Sequence, residues 1–379
     1  MLSRLIATVW QPTTRSLRRW ALASLIANTV IISTGAAVRL SSSGLGCPDW
    51  PTCTKSSLVA AHSVGQTALN TAIEFSNRML TYPLVIIAGL TFIAGLRYYQ
   101  AHGRTRRDLL WLSAALPLGV VAQAVLGGIV VLTKLNPALV AAHFLLSCAI
   151  ILTSAVVLHT RAAALDDAEA GLPAPPPVRT DLRVLTGALA GVTALMLAAG
   201  TVVTGTGPLA GTTIDSHGHK TTVPRFHFSL ASVTQLHADI GWFILALAVA
   251  AVIGLRYAGG SRRTVRLGWI VLGGLGVQGV IGYVQYFNHL PAGLVWVHVS
   301  SAVALWVFVL RLWLSTSPGP AQQAGAAAGD AVVADDTSIV EDPVVRDASA
   351  NVQDADNVGV SDGGSRPASQ PADQAAGIS

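Results

Sequence analysis

The chain has 379 residues, 52% of them hydrophobic and 11% charged. Apolar runs of about 20 residues, the length that crosses a bilayer, recur along it and exclude an ordinary soluble globular protein. The formal charge of +5 sums a basic membrane part and an acidic C-terminal stretch, and neither has the character of a nucleic-acid surface.

Candidate spans fall near 18–38, 69–96, 109–132, 138–160, 182–204, 229–256, 266–287 and 293–314. They read as an all-α integral membrane protein with eight transmembrane helices. Before the first span stand Arg4, Arg15, Arg18 and Arg19; Arg97, Arg104, Arg106 and Arg107 follow the second. Arg161, Arg179 and Arg183 flank the fourth connection, and Arg256, Arg262, Arg263 and Arg266 the sixth. The alternate loops carry only Arg39, Lys55, Lys134, Lys220 and Arg225. By the excess of positive charge on the inner side, both termini are expected in the cytoplasm and the chain in the plasma membrane. The first apolar run is followed by further spans and lacks a clear small-residue cleavage site, so it reads as a retained helix.

The first outer loop, "GLGCPDWPTC", places Cys47 and Cys53 on the oxidising side, with a Pro-Asp-Trp-Pro turn between them. A disulfide is preferred to metal binding by two thiolates, because no Cys or His partner set lies nearby. Span two opens with "AIEFSNRML", residues 72–80, which puts Glu74, Asn77 and Arg78 into an apolar run. Ionised groups in hydrocarbon cost several kcal/mol and mark function. Glu74 and Arg78, four apart, share a helix face and can pair; Glu74 and Asn77, three apart, are also expected on one face.

"QAVLGGIVVLTKLNPALVAAH" from Gln123 to His143 is echoed by "QGVIGYVQYFNHLPAGLVWVH" from Gln278 to His298, with the same Gln-to-His spacing. "STGAAVRLSSSGLG" is likewise echoed by "VTGTGPLAG". The expectation is two pseudo-symmetric four-helix bundles, residues 1–165 and 182–314, joined by a cytoplasmic linker, 166–181. Residues 315–379, rich in Ala, Gly, Pro, Ser and Asp, are expected to be a disordered acidic cytoplasmic tail.

His143, His237 and His298 fall inside spans, where histidine is rare. His237 and His298 sit about 12 and 8 Å below the outer ends of their spans at 1.5 Å per residue. Two imidazoles at one level can ligate a heme iron from opposite faces; interhelical hydrogen bonding is the plainer alternative. By the repeat, His143 corresponds to His298 and Asn77 to His237. The first half thus offers one axial histidine and leaves a coordination position open. Arg39 and Arg225 are candidate propionate contacts, with lipid headgroups as the alternative. His62, His102, His159, His217, His219, His227 and His289 lie in loops or at span ends and read as solvated or structural, although His289 could touch a cofactor edge. Cys148 reads as a small buried apolar residue.

Together, "GLGCPDWPTC", "IEFSNR", "QAVLGGIVVLT...AAH", "TQLHADIGW" and "VWVHVSSA", in this order, resemble the heme A synthase family over roughly residues 18–314. The resemblance implies an oxidoreductase that converts a ring methyl group of heme O to a formyl group, giving heme A for terminal cytochrome oxidase. It implies a resident heme b on His237 and His298 in the C-terminal half, and a heme O substrate site in the N-terminal half with His143. Glu74 matches the family's catalytic acid, and Cys47 and Cys53 its loop cysteine pair. Heme O synthase, oxidase assembly factors and further copies of the chain are the partners implied. Asn77 departs from the pattern, since many members have histidine immediately before this arginine. The competing readings are a diheme b-type electron carrier and a non-catalytic heme-binding assembly or transport protein. Candidate ligands all near the outer face disfavour the carrier, which needs hemes at opposite depths.

Overall fold

The computed structural model describes residues 11–45, 47, 49–53, 68–214 and 220–317. His62, His217, His219, Arg4, Lys55 and the acidic stretch beyond residue 317 lie outside the described residues. Among the described residues eight helices are long and apolar enough to cross a membrane: α1 (Thr14–Leu40), α2 (Ala68–Ala101), α3 (Arg107–Leu132), α4 (Pro137–Glu169), α5 (Thr180–Thr206), α6 (Leu230–Tyr257), α7 (Arg262–Phe287) and α8 (Ala292–Thr316). This is the all-α membrane architecture expected. A two-stranded antiparallel hairpin, β1 (Thr212–Ile214) and β2 (Lys220–Thr222), is added between α5 and α6.

Local chemistry sets the helix ends. Thr13, Asn136, Ser229 and Ser261 cap α1, α4, α6 and α7 by accepting from backbone N–H groups of the first turn. α2 consists of two pieces, Ala68–Met79 and Thr81–Ala101. Pro83 has no N–H to give the Met79 carbonyl, which accounts for the break. α4 widens into a π turn at Ser147–Leu152. It then runs on to Glu169, so its last turn enters the stretch expected as linker; α8 likewise continues to Thr316, just past the expected start of the tail. The α4 extension is held from outside: Arg18 Nη1 donates to Asp166 Oδ2 at 2.9 Å and Thr14 Oγ1 to Glu169 Oε2 at 2.6 Å.

α1 packs on α2 and α4, α2 on α3, and α3 on α4. α5 packs on α6 and α8, α6 on α7, and α7 on α8; α8 also lies against α1 and α4, and the N-terminal piece of α4, Pro137–Leu146, against α5. Lipid is as apolar as a leucine face, so helix association in a membrane relies on close packing and polar contacts. Gly95 of α2 stands so close to Ser113 of α3 that no Cβ fits between them. Hydroxyl pairs join Ser24 to Thr91 at 2.7 Å, Thr186 to Thr316 at 2.8 Å and Ser33 to Ser300 at 2.6 Å. Trp306 Nε1 donates to the Cys148 carbonyl inside the π turn at 3.1 Å. Leu22, Ile26, Trp111, Leu118, Val121 and Trp269 face outward, as a lipid-facing surface requires.

The turns α3–α4 and α7–α8 share one backbone design. Lys134 and Leu135 have φ of 55° and 62°, and His289 and Leu290 both have 59°. Leu135 N donates to Val130 O, and Leu290 N to Gln285 O, five residues back in each case. Consecutive left-handed non-glycine residues are strained, so their recurrence shows that the sequence echo extends to local geometry.

Candidate functional site

His143 and His298 occupy the same place in their helices, each six residues after the first. Gln123 Nε2 donates to the His143 carbonyl at 3.0 Å, and Gln278 Nε2 to the His298 carbonyl at 3.1 Å. Each ring faces a glycine four residues beyond that glutamine. A Cβ on Gly127 would lie 3.2 Å from His143 Cε1, and one on Gly282 would lie 3.5 Å from His298 Cε1. His237 on α6 is faced in the same way by Gly200, at 3.2 Å.

The His237 and His298 ring centroids are 6.4 Å apart, with an interplanar angle of 64°. Two imidazoles ligating one metal from opposite sides have centroids about 6.3 Å apart, given nitrogen–metal bonds of about 2.0 Å. Among the described residues no hydrogen bond engages the rings of His143, His237 or His298, and each Nδ1 is buried without a partner. An unsatisfied buried polar atom costs about 1–3 kcal/mol. Interhelical hydrogen bonding therefore does not explain these rings, and the donor set fits an iron-bearing ligand. No group of three or more His, Cys, Asp or Glu side chains placed for a protein-only metal site occurs among the described residues.

Cys47 and Cys53 are disulfide-bonded, and the loop they close is bound to α2. Glu74, only 5% exposed, accepts from the Cys47 backbone N–H at Oε2, 2.9 Å, and from Arg78 Nη2 at Oε1, 2.8 Å. The same Nη2 donates to the Cys47 carbonyl at 2.8 Å, and Nη1 to the Asp49 and Thr52 carbonyls at 3.2 and 3.3 Å. Arg78 thus spans the disulfide ring while pairing with Glu74. Trp50, at the loop tip, lies over Gly128 of α3, where a Cβ would come within 2.5 Å of its ring.

Asn77 is placed differently from the expectation. A cleft of about 420 Å³ between α1 and α2 is lined by Thr34, Ala37, Ala72, Ile73, Ser76, Asn77 and Leu80. Asn77 Oδ1 accepts from Thr34 Oγ1 at 2.8 Å. Glu74 is not among the lining residues, since its carboxylate turns to the loop. Three residues correspond to about 300° of helical rotation, and partners on different elements drew the two side chains apart.

Arg39 and Arg225 each keep a buried Nε without a partner, and Arg225 Nη2 donates to the Pro208 carbonyl at 3.2 Å. His102 stacks on Tyr98 at 3.9 Å, a structural role. His227 and His289 are exposed, and His159 and Cys148 are buried. Sequence reasoning missed Thr34, Gly200, and the glycines facing His143 and His298, although Gly127 and Gly282 stand at one position of the quoted repeat.

Residues 18–310 match the COX15-CtaA family, described as cytochrome oxidase assembly protein. The chain belongs to this family. Proteins named heme A synthase are its relatives: that of Geobacillus thermodenitrificans is 30% identical over 125 residues, 33% of this chain and 36% of that protein. That of Geobacillus kaustophilus (strain HTA426) is 30% identical over 123 residues, 31% and 35% of the respective chains. The matched segment thus spans about a third of the length of these relatives. Family membership and the eight apolar helices make this a multi-pass membrane protein.

Proposed function

We propose that this protein is a heme A synthase, oxidising a ring methyl group of heme O to a formyl group and supplying heme A to a terminal cytochrome oxidase. The observation that carries this reading is the trio of intramembrane imidazoles whose rings no hydrogen bond engages among the described residues. His143 and His298 are set by one repeated Gln–Gly–His arrangement, and His237 stands beside the second copy. The relatives' name, heme A synthase, supports it.

In this reading the chain has two four-helix halves. His237 and His298 would hold a resident heme b, which would supply electron-transfer capacity. His143 would hold the heme O substrate in the N-terminal half. Methyl-to-formyl oxidation adds one oxygen atom, from water or dioxygen, and removes four electrons net, which an external oxidant must accept; when bound, the irons would relay those electrons singly. The chain's own residues do the remainder. Glu74, kept ionised by Arg78 and oriented by the Cys47 N–H, accepts a proton or positions the partly oxidised substituent. The half-satisfied guanidinium groups of Arg39 and Arg225 receive propionates, for which bidentate arginine geometry is suited. The disulfide loop, stapled to α2 by Arg78 and to α3 by Trp50, closes the outer side. The termini lie in the cytoplasm, and the heme sites near the outer face of the plasma membrane.

Expression with a heme O synthase in a host lacking heme A, followed by heme extraction, tests the reading. Heme A or hydroxylated heme O is the expected product; unchanged heme O alone refutes it.

A further inference from the structure

The glutamines that reach His143 and His298 use only one end of their amides. Gln123 Nε2 donates to the His143 carbonyl at 3.0 Å and Gln278 Nε2 to the His298 carbonyl at 3.1 Å. Each of those carbonyls also accepts a serine hydroxyl, from Ser147 at 3.0 Å and from Ser301 at 3.2 Å. Oε1 of Gln123 and of Gln278 is buried without a hydrogen-bond partner, and so is Nδ1 of His143 and of His298. An amide oxygen only accepts, and one nitrogen of a neutral imidazole donates. An unmatched acceptor and an unmatched donor therefore recur on the same two residues in both halves, although buried polar atoms normally find partners. Because Nε2 and Oε1 share one carbon, Oε1 stays beside the histidine whose carbonyl Nε2 holds. Gly127 and Gly282, one turn further on, leave the ring its room.

We infer that Gln123 and Gln278 are positioning residues for the two histidines: each Oε1 takes the Nδ1–H of its histidine through one buried water, which leaves Nε2 bare for iron. The inference rests on the heme reading above. A buried water with polar partners of this kind is an ordinary part of a folded interior. A ligating histidine generally gives its second N–H to such an acceptor, which orients the ring and raises its basicity. The two ends of the amide thus do different work. Nε2 fixes where the backbone of the histidine sits, and Oε1 sets the electronic character of its ring.

The full-length protein, purified with its low-spin heme, is titrated potentiometrically and its midpoint potential read from the absorbance. Gln278→Leu lacks both ends of the amide and should shift the potential upward, because a less basic ligand favours ferrous iron. Gln278→Glu keeps an acceptor oxygen and should hold the potential at the wild-type value or below it. Ser301→Ala removes a different bond from the same carbonyl, and Gln123→Leu acts in the other half; both should match wild type. Where Gln278→Leu sheds its heme, titration with hemin gives the reading instead, with binding about tenfold weaker than in Gln278→Glu. Equal potentials in Gln278→Leu and wild type overturn the inference. So does an equal upward shift, or an equal loss of hemin affinity, in Gln278→Leu and Gln278→Glu, which would leave the glutamine a tie between helices. A wild type without low-spin heme, or one whose low-spin heme survives both His237→Ala and His298→Ala, shows instead that the heme reading has failed, and the inference falls with it.

Discussion

Glu74 and Cys47, 27 residues apart, are joined by a backbone N–H that donates to the carboxylate at 2.9 Å. The orientation of the only acid in α2 is therefore set jointly by its helix neighbour Arg78 and by a disulfide-closed loop.

Glu74→Gln keeps the size and one acceptor oxygen but removes the charge. Product formation should fall by about 10²–10⁴-fold, the usual range for a lost acid–base group, while the low-spin heme spectrum is retained. Extracted heme composition beside the absorption spectrum makes the comparison. Wild-type product yield would return Glu74 to a purely structural pairing with Arg78.

Arg78→Lys should not substitute. Lysine is a point charge and cannot reproduce a planar fork contacting Glu74 and three carbonyls. Release of the loop is the expected outcome, read as faster phosphine reduction and alkylation of Cys47 and Cys53 than in wild type. Unchanged alkylation rates would mean that Trp50 and the apolar contacts hold the loop without Arg78.

Cys47→Ser with Cys53→Ser opens a short covalent ring. Chain-entropy arguments put its stabilisation at roughly 2 kcal/mol for a loop of this length. The double variant should melt several degrees lower, and its loop should be cleaved first in limited proteolysis from the outer side.

Histidine and glycine variants test the proposed heme sites. His237→Ala or His298→Ala should remove the low-spin heme. Gly200→Ala places a Cβ at 3.2 Å from His237, which the ring must yield to at a cost of about 1–2 kcal/mol, so low-spin heme content should drop. Gly282→Ala, at 3.5 Å from His298, makes an ordinary contact and should be silent. Equal effects of the two substitutions would contradict the packing described.

The membrane spans were legible because apolar runs report length directly. The repeated histidines were legible because the Gln-to-His spacing recurs. What stayed hidden depends on contacts between distant residues. Nothing near Thr34 announces that it meets Asn77 43 residues later. The extension of α4 to Glu169 rests on Arg18 and Thr14, about 150 residues earlier in the chain. The separation of Glu74 from Asn77 required knowing where the loop folds back. Pro83, by contrast, was visible in the sequence and suffices to explain the break near Leu80.

The π turn at Ser147–Leu152 lies just inward of His143 on the same helix. Such a turn stores one surplus residue, and each residue of an α-helix accounts for about 100° of rotation. Because the surplus residue is absorbed within the turn, deleting one residue from this segment would restore regular α-helix and leave His143 and the C-terminal half of α4 on the faces they now present. A deletion elsewhere between His143 and the part of α4 seated on α1, with no such turn to absorb it, would instead rotate His143 by about 100° off Gly127.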